Sequence, residues 1–463
     1  MAEKLLELRN ICKSFGDEEV LHDFNLYIRE NEFVTLLGPS GCGKSTLLRM
    51  IGGFDQPSYG EIIFEGQVIN DLEPNKRQIN TVFQRYALFP HLNVFDNVAF
   101  GLKLKKTPKD EIKREVERVL KLVHLEDYAK RKIDTLSGGQ MQRVAMARAI
   151  VMKPRLLLLD EPLAALDRKL RQDLQYELKD MQRTLGITFI FVTHDQEEAL
   201  TMSDTIVVMN EGRILQIGSP EMIYNEPTTR FVANFIGESM ILDGIVPQDN
   251  VVKFDGALFK TTYTGFSKNE EVDVVLRPED LIVVPYEGAK IKGVIDSKIF
   301  KGEEYEVNII SESGFEYSIH TTKNYDLGLK VGLSIDPENI TLMKKPGINT
   351  FSGTIEEDGR VKVNDDMILD FEGSDEFNEG DNVVVRINTA DVLLDDIEES
   401  DFTGVISDIK KRDIYYDVYI KVGDNVIVAS TSSVYHVGEE TGVWIKEEKV
   451  KVKIEESEEI EDE

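Results

Sequence analysis

Two glycine-rich stretches of this sequence could each hold an anion, and one of the two is redundant at first sight. In the first, GPSGCGKST at residues 38–46, Gly38 stands four residues before Gly43, Lys44 and Ser45. Gly38, Gly41 and Gly43 let the backbone curl with its N–H groups facing inward, and Pro39, Ser40, Cys42 and Thr46 complete the loop. Lys44 supplies a point charge toward β and γ phosphates, and the Ser45 hydroxyl suits Mg2+. In the second, LSGGQ, residues Ser137, Gly138, Gly139 and Gln140 directly precede a helix-like run. A helix start of that kind offers free backbone N–H groups to an anion.

Acidic and imidazole groups lie at the ends of apolar runs. RLLLLDEP at 155–162 reads as a strand buried on both faces, with Asp160 emerging at its carboxyl end, where open α/β sheets bind ligands. Asp160 is placed to orient Mg2+, and Glu161 beside it is the candidate general base for an attacking water. His194 ends a second run, ITFIFVTH, and is expected to meet a γ-phosphate.

Residues 1 to about 235 alternate strand-like and helix-like segments, which predicts a parallel sheet covered by helices. FVTLLG at 33–38 predicts a buried strand entering the glycine loop, and KSTLLRMIGG the helix leaving it. Flanking segments alternate and turn like antiparallel strands, predicting a small β layer beside the main sheet. In TPKDEIKREVERVLKLV, Thr107 is expected to cap a helix, Pro108 to take its first position, and Ile112, Val116, Val119, Leu120 and Val123 to share one face. Leu170, Leu174, Leu178, Met181 and Leu185 form another apolar stripe, ended by Gly186.

Composition narrows the function classes. Lys and Arg number 31 against 34 Asp and Glu in residues 1–235, and 23 against 51 thereafter, so the second half carries nearly all of the net charge of -31. Such an excess repels phosphate backbones and anionic lipid, which argues against direct binding of nucleic acid or bare membrane. Cys12 and Cys42 make no disulfide framework, which fits a reducing compartment. The longest apolar runs, such as LLLL at 156–159, are too short to span a bilayer.

Taken in order, GPSGCGKST, VFQRYALFP, LSGGQ, LLLLDEP, LAALD and VTHD resemble the ATP-binding cassette family, over residues 4 to about 240. The resemblance implies a P-loop (RecA-like) ATPase with a helical subdomain and an antiparallel β layer, binding ATP and Mg2+. It also implies a use for the second stretch: Ser137, Gly138, Gly139 and Gln140 face the γ-phosphate on the phosphate loop of a second copy. Two chains then form a head-to-tail homodimer enclosing two ATPs. Phe15 matches the aromatic that stacks on adenine, Gln84 the glutamine that touches Mg2+ and the attacking water, and Asp167 the aspartate that crosses the dimer interface. Met141 departs from the glutamine common at that place in import cassettes.

The run at 79–106 is dense in aromatic and aliphatic residues and suits a partly exposed groove for a short helix of a membrane subunit. Together with FIGESMILDG at 235–244 it resembles the ATPase subunits of polyamine importers. That resemblance implies two transmembrane permease subunits, a periplasmic or lipid-anchored substrate-binding protein acting through them, and a peripheral place on the cytoplasmic face of the cell membrane. An importer of another substrate, such as a sugar or metal ion, and a soluble non-transport ATPase of the same family are the alternatives.

The second half contains a repeat. GVIDSKIFKGEEYEVNI from Gly293 aligns with GVISDIKKRDIYYDVYI from Gly404, VDVVLRPEDLIVV at 272–284 echoes NVVVRINTADVLL at 382–394, and Gly244 corresponds to Gly353. These predict two small all-β units in tandem, at 240–345 and 350–453, after a cassette at 1–235. The first resembles the oligonucleotide-fold-like (OB-like) domain appended to import cassettes. The second has RINTAD in place of LRPED and is expected to be a divergent scaffold. The acidic tail from residue 454 is expected to be disordered.

Overall fold

A computed structural model of the chain describes every residue except 1–3, 17, 85, 165, 265, 267, 346, 375–376, 396–399, 412–415, 432–434 and 455–463. The chain divides into two compact units, Met1–Met343 and Lys344–Glu463.

The first unit begins with strands β1 (Lys4–Phe15), β2 (Glu18–Arg29), β3 (Phe33–Leu37), β4 (Tyr59–Phe64), β5 (Gln67–Val68), β6 (Ile79–Val82), β7 (Leu156–Asp160), β8 (Thr188–Thr193), β9 (Thr205–Asn210) and β10 (Arg213–Gly218). Its helices are α1 (Lys44–Ile51), α2 (Val94–Leu104), α3 (Lys109–Leu122), α4 (Gly138–Ile150), α5 (Arg168–Leu185), α6 (Gln196–Met202), α7 (Pro220–Asn225) and α8 (Arg230–Phe235). The central sheet runs β10-β9-β3-β8-β7-β6 and is parallel except for the antiparallel edge strand β10. A second, antiparallel sheet, β2-β1-β4-β5, is the expected β layer.

Side chains alternate across the central sheet, and this divides its core in two. Leu156, Leu158, Ile190 and Val192 face one way, into a core shared with α1 and the antiparallel sheet. Leu157, Leu159, Phe189 and Phe191 face the other way, into a core shared with α2, α3 and α4. The helix leaving the first glycine loop and the helix entered from the second therefore cover opposite faces.

The helical region follows the predicted periodicity with one correction. The α3 stripe is buried, but Pro108 is the N-cap residue and Lys109 opens the helix, with no side-chain cap hydrogen bond. Proline fixes its own φ while restraining the residue before it, Thr107, away from helical geometry. In α5 the stripe ends as expected at Gly186, in left-handed conformation at φ 60. Among the described residues no helix is long and apolar enough to cross a membrane.

Ten strands complete the first unit: β11 (Met240–Gln248), β12 (Val251–Phe254), β13 (Ala257–Lys260), β14 (Glu270–Leu276), β15 (Ile282–Val284), β16 (Ile291–Phe300), β17 (Tyr305–Ser311), β18 (Glu316–Thr321), β19 (Lys330–Ser334) and β20 (Thr341–Lys344). They form antiparallel sheets ordered β13-β12-β11-β14-β20 and β15-β19-β16-β17-β18 around one core. This β region is fastened to the cassette. Arg230 on α8 grips Asp273 of β14 with both ends of its fork, at 2.7 and 2.6 Å, and Asp273 is 1% exposed. Buried Arg277 donates to the carbonyls of Ala233 and Tyr224 at 2.9 and 3.1 Å and lies over the Tyr224 ring. Ala233, Val275 and Met343 add an apolar contact.

The second unit repeats this topology strand for strand. Its strands are β21 (Ile348–Ile355), β22 (Val361–Asn364), β23 (Met367–Leu369), β24 (Asn382–Asn388), β25 (Leu393–Asp395), β26 (Phe402–Lys411), β27 (Tyr416–Val422), β28 (Asn425–Thr431), β29 (Glu440–Trp444) and β30 (Lys451–Ile454). They order as β23-β22-β21-β24-β30 and β25-β29-β26-β27-β28, again around one core. Gly244 pairs with Val272 in the first copy and Gly353 with Val383 in the second, which sets the equivalence of positions. By that register Val384 and Asn388 stand where the first copy has Asp273 and Arg277. Ile454, the first residue of the expected disordered tail, lies in β30, and the rest of the tail is outside the described residues.

Arg230→Ala leaves the Asp273 carboxylate buried without its fork. We expect a loss of about 2 kcal/mol of stability, the scale of hydrogen bonds to a charged group, read as a lower urea midpoint for the first transition.

Candidate functional site

The phosphate loop is built where β3, buried along its whole length, meets α1. A Cβ at Gly38 would lie 2.3 Å from the Met209 carbonyl oxygen, so only glycine lets the chain pass there. Gly41 and Gly43 have φ of 89 and 95, which favours glycine again. Ser40 is exposed at the loop's outer bend, and Thr46 follows in the first turn of α1.

Lys44 is 4% exposed, and its ammonium donates to the carbonyls of Gly38 at 2.8 Å and Pro39 at 2.7 Å. Burial pushes the neighbouring Cys42 thiol up, so that group gives no compensating thiolate. Among the described residues Lys44 has no carboxylate in salt-bridge contact. The ammonium also lies 3.6 Å from the Cys42 sulfur, and a buried cation held by carbonyl dipoles and a neutral thiol is a site for an anion.

Asp160 ends β7 beside that loop and accepts from the Ser45 hydroxyl at 2.8 Å. Burial holds its carboxyl above the usual range, with the Ser45 hydrogen bond opposing. A carboxylate that desolvation disfavours, sharing a hydroxyl with the phosphate loop, gains most from a small oxygen-seeking cation, so the two side chains fit Mg2+.

Glu161 follows in left-handed conformation, φ 43, a rare state for a residue with a side chain. Its backbone N–H donates to the Val192 carbonyl at 3.1 Å, which fastens the turn to β8. One carboxylate oxygen accepts from the Gln84 amide at 3.0 Å, and the other lies 3.4 Å from Nδ1 of His194. The structure thus brings Gln84, Glu161 and His194 into one cluster at the same edge as Ser45 and Asp160. Of the remaining nucleotide-contact candidates, Phe15 is half exposed and carries the Lys13 ammonium over its ring at 4.7 Å.

Ser137 and its glycines stand apart from this cluster. Ser137 caps α4 in a reciprocal pair with Gln140: the Gln140 N–H donates to the Ser137 hydroxyl at 3.4 Å, and the Ser137 N–H donates to the Gln140 side chain at 3.0 Å. None of these bonds reaches the phosphate loop of the same chain. Asp167 caps α5 by accepting from the Leu170 N–H at 3.0 Å.

The aromatic residues of the segment at 79–106 are partly buried and pack on one another. Phe89 stacks on Phe100 at 4.4 Å between centroids, and Tyr86, Leu88 and Phe95 lie half-buried against the core. Arg148 of α4 donates to the carbonyls of Ala87 at 2.7 Å and Tyr86 at 3.0 Å, holding two successive left-handed residues. Sequence reasoning passed over Arg148 and also the support behind His194. Glu198 is 3% exposed, accepts from the Thr193 hydroxyl at 2.6 Å, and has its pKa pushed up to about 7 by burial. The only available signal was the spacing of Asp195 and Glu198 at a helix start.

A glycine loop between strand and helix, a buried lysine and paired carboxylates at the next strand end define a P-loop nucleotide-binding site. The ABC transporter family profile matches residues 21–164. The chain is 57% identical to the spermidine/putrescine import ATP-binding protein PotA of Clostridium novyi, over 74% of this chain and 99% of that protein. It is 48% identical to the protein of the same name from Bacteroides thetaiotaomicron, over 97% of this chain and 98% of that one, and 58% identical to the one from Desulfitobacterium hafniense, over 74% and 99%. The chain belongs to the ABC transporter ATP-binding proteins: it is an ATP-binding ABC transporter ATPase.

Glu161→Gln keeps the shape and the Gln84 contact but removes the base, so hydrolysis should fall by roughly 10²–10⁴ while ATP still binds. Near-normal turnover would remove Glu161 from that role. Lys44→Ala should weaken ATP affinity in equilibrium binding, and an unchanged affinity would count against the loop.

Proposed function

We propose that this chain is the energy-coupling ATPase of a polyamine importer, working as a head-to-tail homodimer that encloses two Mg-ATP. The observation that carries the reading is the separation of its two anion-seeking elements. Lys44 and the loop amides belong to one face of the central sheet, and Ser137, Gly138 and Gly139 open a helix on the other. The positive end of a helix dipole favours a negative charge, and a second copy brings one.

In this reading the loop Gly38–Thr46 wraps the phosphates, Lys44 turns from its carbonyls to the β and γ oxygens, and Phe15 stacks on the base. Ser45, Asp160 and Gln84 hold Mg2+, which when bound neutralises charge on the phosphate oxygens. Glu161 accepts a proton from the attacking water, and His194 holds the γ-phosphate end of the site. Ser137, Gly138, Gly139 and Gln140 close over the phosphate of the other copy, with Asp167 at the seam.

Two permease subunits seat against the segment at 79–106, on the cytoplasmic face of the membrane, and receive cargo from a periplasmic or lipid-anchored substrate-binding protein. The polyamine substrate is supported by the names of the relatives, since the fold of the ATPase does not itself specify a cargo. We read each β copy as an OB-like unit of the kind appended to import cassettes, supported by its five-stranded antiparallel sheets closing on one core.

The test is transport by the complex reconstituted with its permease and binding protein, offered labelled putrescine, spermidine, a sugar and a metal ion. ATP-dependent uptake of the polyamines is expected; uptake of the sugar or the metal ion alone would overturn the substrate.

A further inference from the structure

We infer that Arg171 is a positioning residue that ties Leu166 and Asp167, at the entry to α5, to His194, so that seating of the partner at Asp167 sets the histidine. The inference rests on the two-chain site proposed above.

Arg171 lies in the first turn of α5, four residues after Asp167, and its backbone N–H donates to the Asp167 carbonyl at 2.9 Å. One end of its guanidinium donates to the Leu166 carbonyl at 3.2 Å, and the other to the Asp195 carboxylate at 2.9 Å. A single rigid fork therefore joins the end of the LAALD turn to the residue that follows His194. Lysine, with one flexible ammonium, does not reproduce such a planar span.

Both chain neighbours of His194 are held by the same network. The Asp195 carboxylate accepts from the Glu198 N–H at 3.2 Å, and the Asp195 N–H donates to the Thr193 hydroxyl at 3.0 Å. That hydroxyl donates in turn to the buried Glu198 carboxylate. Movement of Arg171 is thus passed to the peptide units on either side of His194, whose Nδ1 faces Glu161.

The network also has an unused position. Among the described residues Nε of Arg171 is buried without a hydrogen-bond partner, and a carboxylate oxygen of Glu198 lies 3.8 Å away. That is beyond hydrogen-bond reach, and a shift of about 1 Å closes it. A buried guanidinium N–H left unpaired is costly, so the fork has a second, better satisfied arrangement within a small displacement of α5. Partner contact at Asp167 supplies such a displacement, because Asp167 caps the helix that carries Arg171.

The test measures ATPase kinetics of the full chain carrying Arg171→Ala or Arg171→Lys, together with ATP-bound pairing of each change placed on Glu161→Gln. For both variants the expected result is a fall in kcat of about tenfold with KM for ATP unchanged, and undiminished pairing. The lysine variant keeps the charge and the contact to Asp195, so it stays interpretable if the alanine variant unfolds. A staple that only holds α5 to α6 would lower thermal stability and ATP affinity together. An unchanged kcat, full activity in Arg171→Lys, or a loss appearing in KM overturns the role. Absence of pairing in Glu161→Gln alone overturns the two-chain site itself, which keeps the two failures distinct.

Discussion

The six-stranded sheet is a wall between two halves of an anion site. Its alternating side chains send α1 and the phosphate loop to one face and α4 with its Ser-Gly-Gly start to the other. Each half draws an anion by its own means: Lys44 is buried against the carbonyls of Gly38 and Pro39, and the start of α4 carries the positive end of its helix dipole. In the two-chain reading proposed above, a second copy turned head to tail would join both pairs, with ATP as the joint between subunits.

The same sheet positions the chemistry. Parallel strands end together at one edge, so Asp160 and His194, far apart in sequence, come to one place. The left-handed turn at Glu161 then aims its carboxylate between Gln84 and His194. Strain at that position is held by the bond from its N–H to Val192, a cost that the surrounding β7–β8 pairing sustains. Gln84 leads into the segment clamped by Arg148, which links the cluster of Gln84, Glu161 and His194 to α4.

Local features of the chain were legible in its sequence because local chemistry determines them. The buried strand before Gly38, the α5 stripe with its glycine stop, and the doubled β region followed from periodicity, turn residues and self-similarity. Features made by distant residues were not legible. The partners of Arg230, Arg277 and Arg171 are one bond away in space and up to 53 residues away in sequence, with no pattern to mark them. The aromatics at 79–106 pack in part on one another, contacts that composition alone does not specify. Pro108 shows that a capping position can slip by one residue when two residue types both suit a helix start. The repeat is instructive in a different way. Its topology survives intact in the second copy, while Asp273 and Arg277 give way to Val384 and Asn388, and the exposed Asn388 amide donates to Asp391 at 3.0 Å. Fold and attachment are thus encoded by different residues. The Bacteroides thetaiotaomicron relative, matched over 97% of this chain, contains the second copy as well.

Light scattering on the Glu161→Gln chain saturated with Mg-ATP tests the shared site most directly. The account predicts that the mass doubles from the 52.6 kDa of one chain, and that blocking the start of α4 with Gly138→Arg abolishes the doubling while ATP stays bound. A chain that binds ATP and remains at 52.6 kDa, with or without its permease, would contradict it.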